Sequence, residues 1–116
     1  MEMASLFLSD GQQCAVILCN APDAKTAHAI AHELVNSKTA ACVNILPCCC
    51  SIYQWDGKMQ EDTETPMLIK THASRIDAVV ETIRRLHPYD TPEIIALPMV
   101  GGAHDYLQWV AAQTQR

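Results

Sequence analysis

The sequence predicts a single α+β domain whose strands and helices follow the order βαββαβ, with one further helix at the C-terminal end. Three observations predict it. Apolar runs as long as strands alternate with two stretches whose apolar residues recur every three or four positions, as on one helix face. Proline, glycine and asparagine separate these segments. The 116 residues, 49% of them hydrophobic, suit one core and not two.

The first strand and the first helix have clear boundaries. Residues 14–19 are nearly all apolar, which favours a strand in the middle of a sheet. Asn20 to Asp23 ends this strand, and the Asp23 side chain is expected to cap a helix that ends near Ser37 and Lys38. The apolar stripe of this helix consists of Ala27, Ile30, Ala31, Leu34 and Val35.

The middle of the chain predicts a long, bent hairpin. A second β-type run covers residues 41–46 and continues over 51–55, after Pro47 and three consecutive cysteines. Asp56-Gly57 is typical of a hairpin turn. The returning strand, residues 58–71, contains Pro66, so this part of it is expected to be an edge, a bulge or a change of pairing partner.

Residues 87–93, called the junction below, connect the second helix to the last strand. Ser74 is expected to cap this helix, with Asp77 as its capping partner, and the helix runs to Leu86. His87 precedes a proline and should therefore end the helix. The chain then enters a strand over residues 94–100. Two glycines, Gly101 and Gly102, lead from it into a terminal helix over 105–113.

This order of elements, with right-handed crossovers, leaves essentially one compact arrangement, a ferredoxin-like sandwich of a four-stranded antiparallel sheet with two helices on one face. The other face lacks a helix, and so much apolar strand surface favours self-association. Large aromatic side chains near the hairpin tip and in the terminal helix are expected to anchor the interface: Tyr53, Trp55, Tyr106 and Trp109.

Charge and composition argue against several classes of protein. The net charge is −5, and the densest basic spot is Arg84-Arg85, so we expect no nucleic-acid partner. No apolar run is long enough to cross a membrane. Residues 1–12 are expected to form a flexible tail and residues 13–116 the single domain. Because the start lacks a basic region and the six cysteines suit reduced thiols, we expect a cytoplasmic protein.

The sequence also argues against an enzyme. It has no glycine-rich phosphate loop, and no serine or cysteine nucleophile has an evident base near it in the sequence. We therefore expect a non-catalytic protein.

Several motifs in one order resemble a known family, the CutA divalent-cation tolerance proteins. These motifs are Cys19-Asn20-Ala21-Pro22, Ala40 to Ile45, Ser51 to Lys58, His87-Pro88-Tyr89, Thr91 to Ile95 and Tyr106 to Trp109. The resemblance implies a ferredoxin-like protomer, a homotrimer built by strand pairing and related in architecture to PII signalling proteins, and a role in copper and divalent-metal tolerance.

The resemblance also implies metal ligands. The copper donors associated with similar bacterial members correspond to Cys19 and His87, while Leu86 stands where such members can have a second histidine. Thiolate and imidazole suit copper in either oxidation state. Each residue also has a structural interpretation: Cys19 as a packed small side chain, and His87 as a helix-terminal cap.

The cysteine triplet departs from the family pattern. Strand alternation would place Cys48 and Cys50 on one face, where copies around a trimer axis could gather thiols into a soft-metal site. A surface loop that tolerates cysteine is the simpler interpretation.

A second functional hypothesis is a PII-like regulatory or scaffold trimer that binds a small effector or a partner protein. Its motivation is the shared fold and the clefts expected between subunits. The charged residues expected to line such a cleft, where carboxylates could hold cations or a small effector, are Glu61, Asp62, Glu64, Lys70, Asp90 and Glu93.

Overall fold

The computed structural model describes residues 13–115, which form five strands and three helices in the predicted order. The strands are β1 (Cys14–Ala21), β2 (Cys42–Ile45), β3 (Cys49–Trp55), β4 (Lys58–His72) and β5 (Ile94–Pro98). The helices are α1 (Ala24–Asn36), α2 (Ile76–Leu86) and α3 (His104–Gln113), and a short 3-10 turn, Ala73–Arg75, precedes α2.

Strand β4 organises the sheet. The strand order is β2-β4-β1-β5, and every pair of neighbours is antiparallel. The second half of β4 lies between β1 and β2, while its first half pairs with β3. Strands β2 and β3 together take the place of the second strand of the βαββαβ order, so the predicted ferredoxin-like α+β fold with a C-terminal helix is confirmed.

Residues 49–64 form a two-stranded hairpin arm beyond the four-stranded part of the sheet. Register pairs Cys49 with Glu64, whereas β1 pairs with β4 only from Thr65 onward. Of the three alternatives predicted at Pro66, an edge, a bulge or a change of pairing partner, the structure shows the change of partner: β3 pairing ends before this residue and β2 pairing starts after it, at Met67. The arm elongates the molecule to 56 × 29 × 23 Å.

Helices α1 and α2 cover one face of the sheet and enclose the core. The predicted stripe of α1 is buried at Ala27, Ile30, Ala31 and Leu34. From α2, Val79 and Ile83 are buried in the same cluster, and Leu86 packs against it. Strand residues such as Ile17 and Ile69 complete this core from the sheet side. The amphipathic patterns therefore identified the core correctly.

Three predicted boundaries were wrong. Ser74 does not cap α2: it lies in the 3-10 turn, where its backbone N–H donates to Nδ1 of His72, and Arg75 at the N-cap makes no side-chain cap bond. The second β-type run ends at Ile45 and resumes at Cys49, inside the cysteine triplet, and not at Ser51. Strand β5 ends at Pro98, two residues earlier than predicted, although the Met99 backbone N–H still donates to the Cys14 carbonyl at 2.9 Å.

The prediction of a flexible tail at residues 1–12 lies outside the described residues, and the domain boundary at residue 13 stays a prediction. Within residues 13–115, no helix is both long and apolar enough to cross a membrane.

Truncation of the Ile83 side chain tests how much the helix–sheet core contributes to the free energy of unfolding. Ile83 is 0% exposed, so Ile83→Ala removes buried methyl groups and leaves a cavity. We expect a loss of about 2–5 kcal/mol in the free energy of unfolding. Chemical denaturation at fixed protein concentration measures it, with Arg84→Ala, the exposed next residue, as control. Equal effects of the two substitutions would contradict this packing.

Candidate functional site

The His87 side chain fixes the junction between α2 and β5. Its backbone N–H closes the last turn of α2 by donating to the Ile83 carbonyl at 2.7 Å. His87 is 5% exposed, and each nitrogen of its ring contacts a backbone group. The Tyr89 backbone N–H donates to Nδ1 at 3.2 Å, and Nε2 lies 2.8 Å from the Asn20 carbonyl oxygen. In the neutral ring the proton is therefore on Nε2, which donates to Asn20.

These bonds tie the junction to the end of β1, where Asn20 lies. They also set the position of Tyr89, whose ring meets the His87 ring edge-on, with centroids 4.7 Å apart. A helix end and a strand end are thus joined through one imidazole. The capping interpretation of His87 has a direct structural basis.

Cys19 lies on β1, immediately before Asn20, and belongs to the helix–sheet core. Its side chain is 1% exposed. Burial raises the pKa of the thiol to about 12, and the nearby Glu93 and Glu64 carboxylates add to this shift. The thiol is therefore protonated at neutral pH, whereas a metal ligand must be the thiolate.

In one chain as it stands, Cys19 and His87 do not fit a copper ion. Both ring nitrogens of His87 already make hydrogen bonds, and the thiol of Cys19 is buried and protonated. Across residues 13–115, no group of three or more His, Cys, Asp or Glu side chains is arranged to hold a metal. Leu86 points into the core packing. The assignment of Cys19 and His87 as metal ligands therefore stays a prediction. It requires that these side chains rearrange or that another copy of the chain contributes to the site.

The cysteine triplet lies where the arm begins. Cys48 precedes β3 and is exposed, Cys50 is exposed within β3, and Cys49 between them is half-buried, with its Sγ 3.8 Å from the Ser51 hydroxyl. All six cysteines are free thiols. The two exposed thiols are open to solvent, but they have no further donor grouped with them among the described residues.

A cleft of about 710 Å³ lies between the hairpin arm and the junction. Four of the acids expected from the sequence line it: Asp62, Glu64, Asp90 and Glu93. The remaining lining residues are Ser51, Ile52, Tyr53, Trp55, Tyr89 and Thr91. Two of the expected charged residues lie elsewhere: Glu61 is exposed, and Nζ of Lys70 lies 5.7 Å from the ring centroid of Tyr106.

The strand register explains the wall formed by the arm. Ser51 lies opposite Asp62 and Tyr53 opposite Gln60, so these side chains share a face with Glu64. The Tyr53 hydroxyl donates to Oδ2 of Asp62. This bond raises the pKa of Tyr53 to about 12, so the phenol stays protonated and Asp62 stays in place.

Tyr89 and Thr91 supply the opposite wall, which the sequence analysis did not assign to a site. The pKa of Tyr89 is raised by burial and by the carboxylates of Glu64, Asp62 and Asp23. The sequence held one signal for this wall. An aromatic, an acidic and a hydroxyl residue, Tyr89-Asp90-Thr91, directly follow His87-Pro88.

Comparison with known proteins supports one family throughout. The pattern of the CutA1 divalent ion tolerance protein family matches residues 15–113. The chain is 44% identical over 107 residues to "Divalent-cation tolerance protein CutA" of Pectobacterium atrosepticum, covering 90% of this chain and 97% of the relative.

Solved structures agree. The divalent cation tolerance protein of Thermus thermophilus superposes with a TM-score of 0.86 at 41% identity, covering 88% of this chain and 99% of that one. A periplasmic divalent cation tolerance protein, CutA, from Archaeoglobus fulgidus gives the same TM-score and coverages at 33% identity. Together, fold and sequence place this chain in the CutA1 family of divalent ion tolerance proteins.

Proposed function

We propose that this chain acts in divalent-cation tolerance as a non-catalytic homotrimer that binds the metal directly, with copper among the ions it binds. The observation that carries the proposal is that the resemblance to divalent-cation tolerance proteins covers the whole described fold, at about 40% sequence identity. The family is named for tolerance and not for a reaction.

The proposed copper donors are Cys19 and His87, with Cys48 and Cys50 as further thiol donors. In favour of the first pair, Asn20, which follows Cys19, accepts the Nε2–H hydrogen bond of His87, so the His87 ring lies at the end of β1 that carries Cys19. Binding there requires release of the bond to Asn20 and loss of the Cys19 proton, because metals bind the thiolate and the lone pair of imidazole. Copper affinity should therefore fall as pH decreases.

Copper(I) titration of the reduced protein against a competing chelator, without oxygen, tests the donor set. We expect wild type to bind copper and both Cys19→Ala and His87→Gln to lose it, since each substitution removes one donor. Cys42→Ala, which removes a half-buried thiol of β2, is the control and should bind as wild type. Glutamine at position 87 retains an amide that can donate to Asn20.

Unchanged copper binding in both Cys19→Ala and His87→Gln would refute this pair. If binding is lost only in a variant with serine at positions 48 and 50, the site belongs to the cysteine triplet.

Three structural features support self-association. The radius of gyration is 15.6 Å, against about 13 Å for a compact domain of this size. The arm exposes large apolar residues, including Met59 at 65%, although an isolated two-stranded hairpin is marginally stable. The outer edge of β5 is unpaired among the described residues, and Ile95, Leu97 and Val100 beside it are exposed. Strand pairing between copies would cover such edges.

The cytoplasm is the proposed location, since six free thiols suit a reducing compartment.

Light scattering at micromolar concentration tests the assembly. A mass three times that of one chain is expected, because the arm and the β5 edge need partners. A single-chain mass at this concentration would contradict the proposed homotrimer.

A second candidate function is regulation or scaffolding of the PII type, in which the cleft binds a small effector. The specific observation in its favour is the cleft itself, whose 710 Å³ lies in the usual range for small-molecule sites. Calorimetric titration with small metabolites tests it, and heat from a metabolite without any metal effect would favour this function over the first.

A further inference from the structure

The cleft between the arm and the junction has a strongly one-sided charge. Four carboxylate residues line it, namely Asp62, Glu64, Asp90 and Glu93, and no lysine or arginine does. The ion pair found among residues 13–115 joins Arg85 to Glu33, away from the lining. None of the four carboxylates is therefore neutralised by a basic side chain of the described part of the chain.

Glu64 points to a ligand independently of this cluster. The residue is only 9% exposed, yet its carboxylate makes no hydrogen bond or ion pair with any residue of the described range 13–115. Its residual exposure opens onto the cleft that it lines. A cation that enters the cleft can therefore reach this carboxylate and supply the charged partner that it lacks within the described residues.

The other groups of the lining suit an organic cation. Tyr53, Trp55 and Tyr89 present aromatic surface, which attracts cations at the ring face and packs against methylene groups. Phenols are ordinarily uncharged at physiological pH, and that of Tyr53 donates its hydrogen bond to Asp62. The aromatic walls therefore add no competing negative charge.

We propose that this cleft binds a linear polyamine, whose ammonium groups pair with Glu64 and the neighbouring carboxylates while its methylene chain lies along the aromatic walls. Ammonium groups donate hydrogen bonds to carboxylates and are separated by flexible spacers, which matches acids contributed by different segments of the chain. A volume of about 710 Å³ holds such a molecule.

A bare metal ion fits the cleft less well than a polyamine. A divalent cation needs several oxygen ligands at about 2.0–2.6 Å. Among the described residues no three carboxylates or other donor side chains converge closely enough for that. A polyamine instead places its charges several bonds apart and gains from aromatic contact, which a metal ion cannot use in this way.

This inference rests on the second candidate function, in which the cleft binds a small effector, and it gives that effector a chemical class. It involves a different set of side chains from copper binding at Cys19 and His87, since neither residue lines the cleft.

Calorimetric titration of the full-length protein with spermidine tests the inference. Wild type should bind, and Glu64→Gln should weaken the affinity about tenfold or more, because it removes a charged, buried hydrogen-bond acceptor while keeping the side-chain shape. Glu81→Gln removes the same charge from an exposed position on α2 outside the cleft, and should bind as wild type. Triacetylspermidine, which has the same backbone without the charges, should not bind. Thermal melts confirm that each variant is folded.

Two results would overturn the inference. Equal weakening by Glu64→Gln and Glu81→Gln would show attraction by net charge alone, and absence of spermidine binding would exclude the polyamine. If spermidine does not bind, but a neutral or anionic metabolite binds wild type and not Tyr89→Ala, only the polyamine is excluded and the effector function is still supported. If no metabolite of any charge binds, the effector function falls as well.

Discussion

The two hydrogen bonds of the His87 ring are the constraint on which the functional region depends. One ring nitrogen donates to the Asn20 carbonyl at the end of β1, and the other accepts from the Tyr89 backbone. Because the ring is buried, both bonds are protected from competition with water. The helix end, the central strand and the wall of the cleft are thereby held together, and the same bonds close the ring to a metal until one of them is released.

Strand β4 supplies the other half of this arrangement. Its C-terminal part lies inside the sheet, between β1 and β2, and its N-terminal part leaves the sheet with β3 as the hairpin arm. Pro66 lies where the pairing partner on one side changes, between the ends of β3 and β2 pairing. The arm carries Asp62 and Glu64 toward the junction, so that one strand contributes both to the core and to the cleft. The fold and the candidate sites are therefore not separable: a shift in β4 register would move both.

Much of this could be predicted from the sequence, for identifiable reasons. Helix stripes such as Ile30 and Leu34 follow from the apolar period, and the change of partner at Pro66 follows from its missing N–H. The cap of α2 could not be predicted, because the 3-10 turn and the His72 acceptor depend on where β4 ends in three dimensions. The partners of His87 are equally long-range, since Asn20 is 67 residues away in sequence. Residue type indicated possible metal donors, but burial and hydrogen bonding decide whether their lone pairs are available.

The most direct test of this account is the protonation pattern of the His87 ring in the metal-free protein, measured by long-range ¹H–¹⁵N NMR correlation on ¹⁵N-labelled histidine and assigned with His87→Gln. Two backbone contacts require one pattern in the neutral ring: a proton on Nε2, and Nδ1 as a hydrogen-bond acceptor. That spectrum would establish His87 as the link between β1 and the cleft. A neutral ring protonated on Nδ1, or one that averages between the two tautomers, would contradict it.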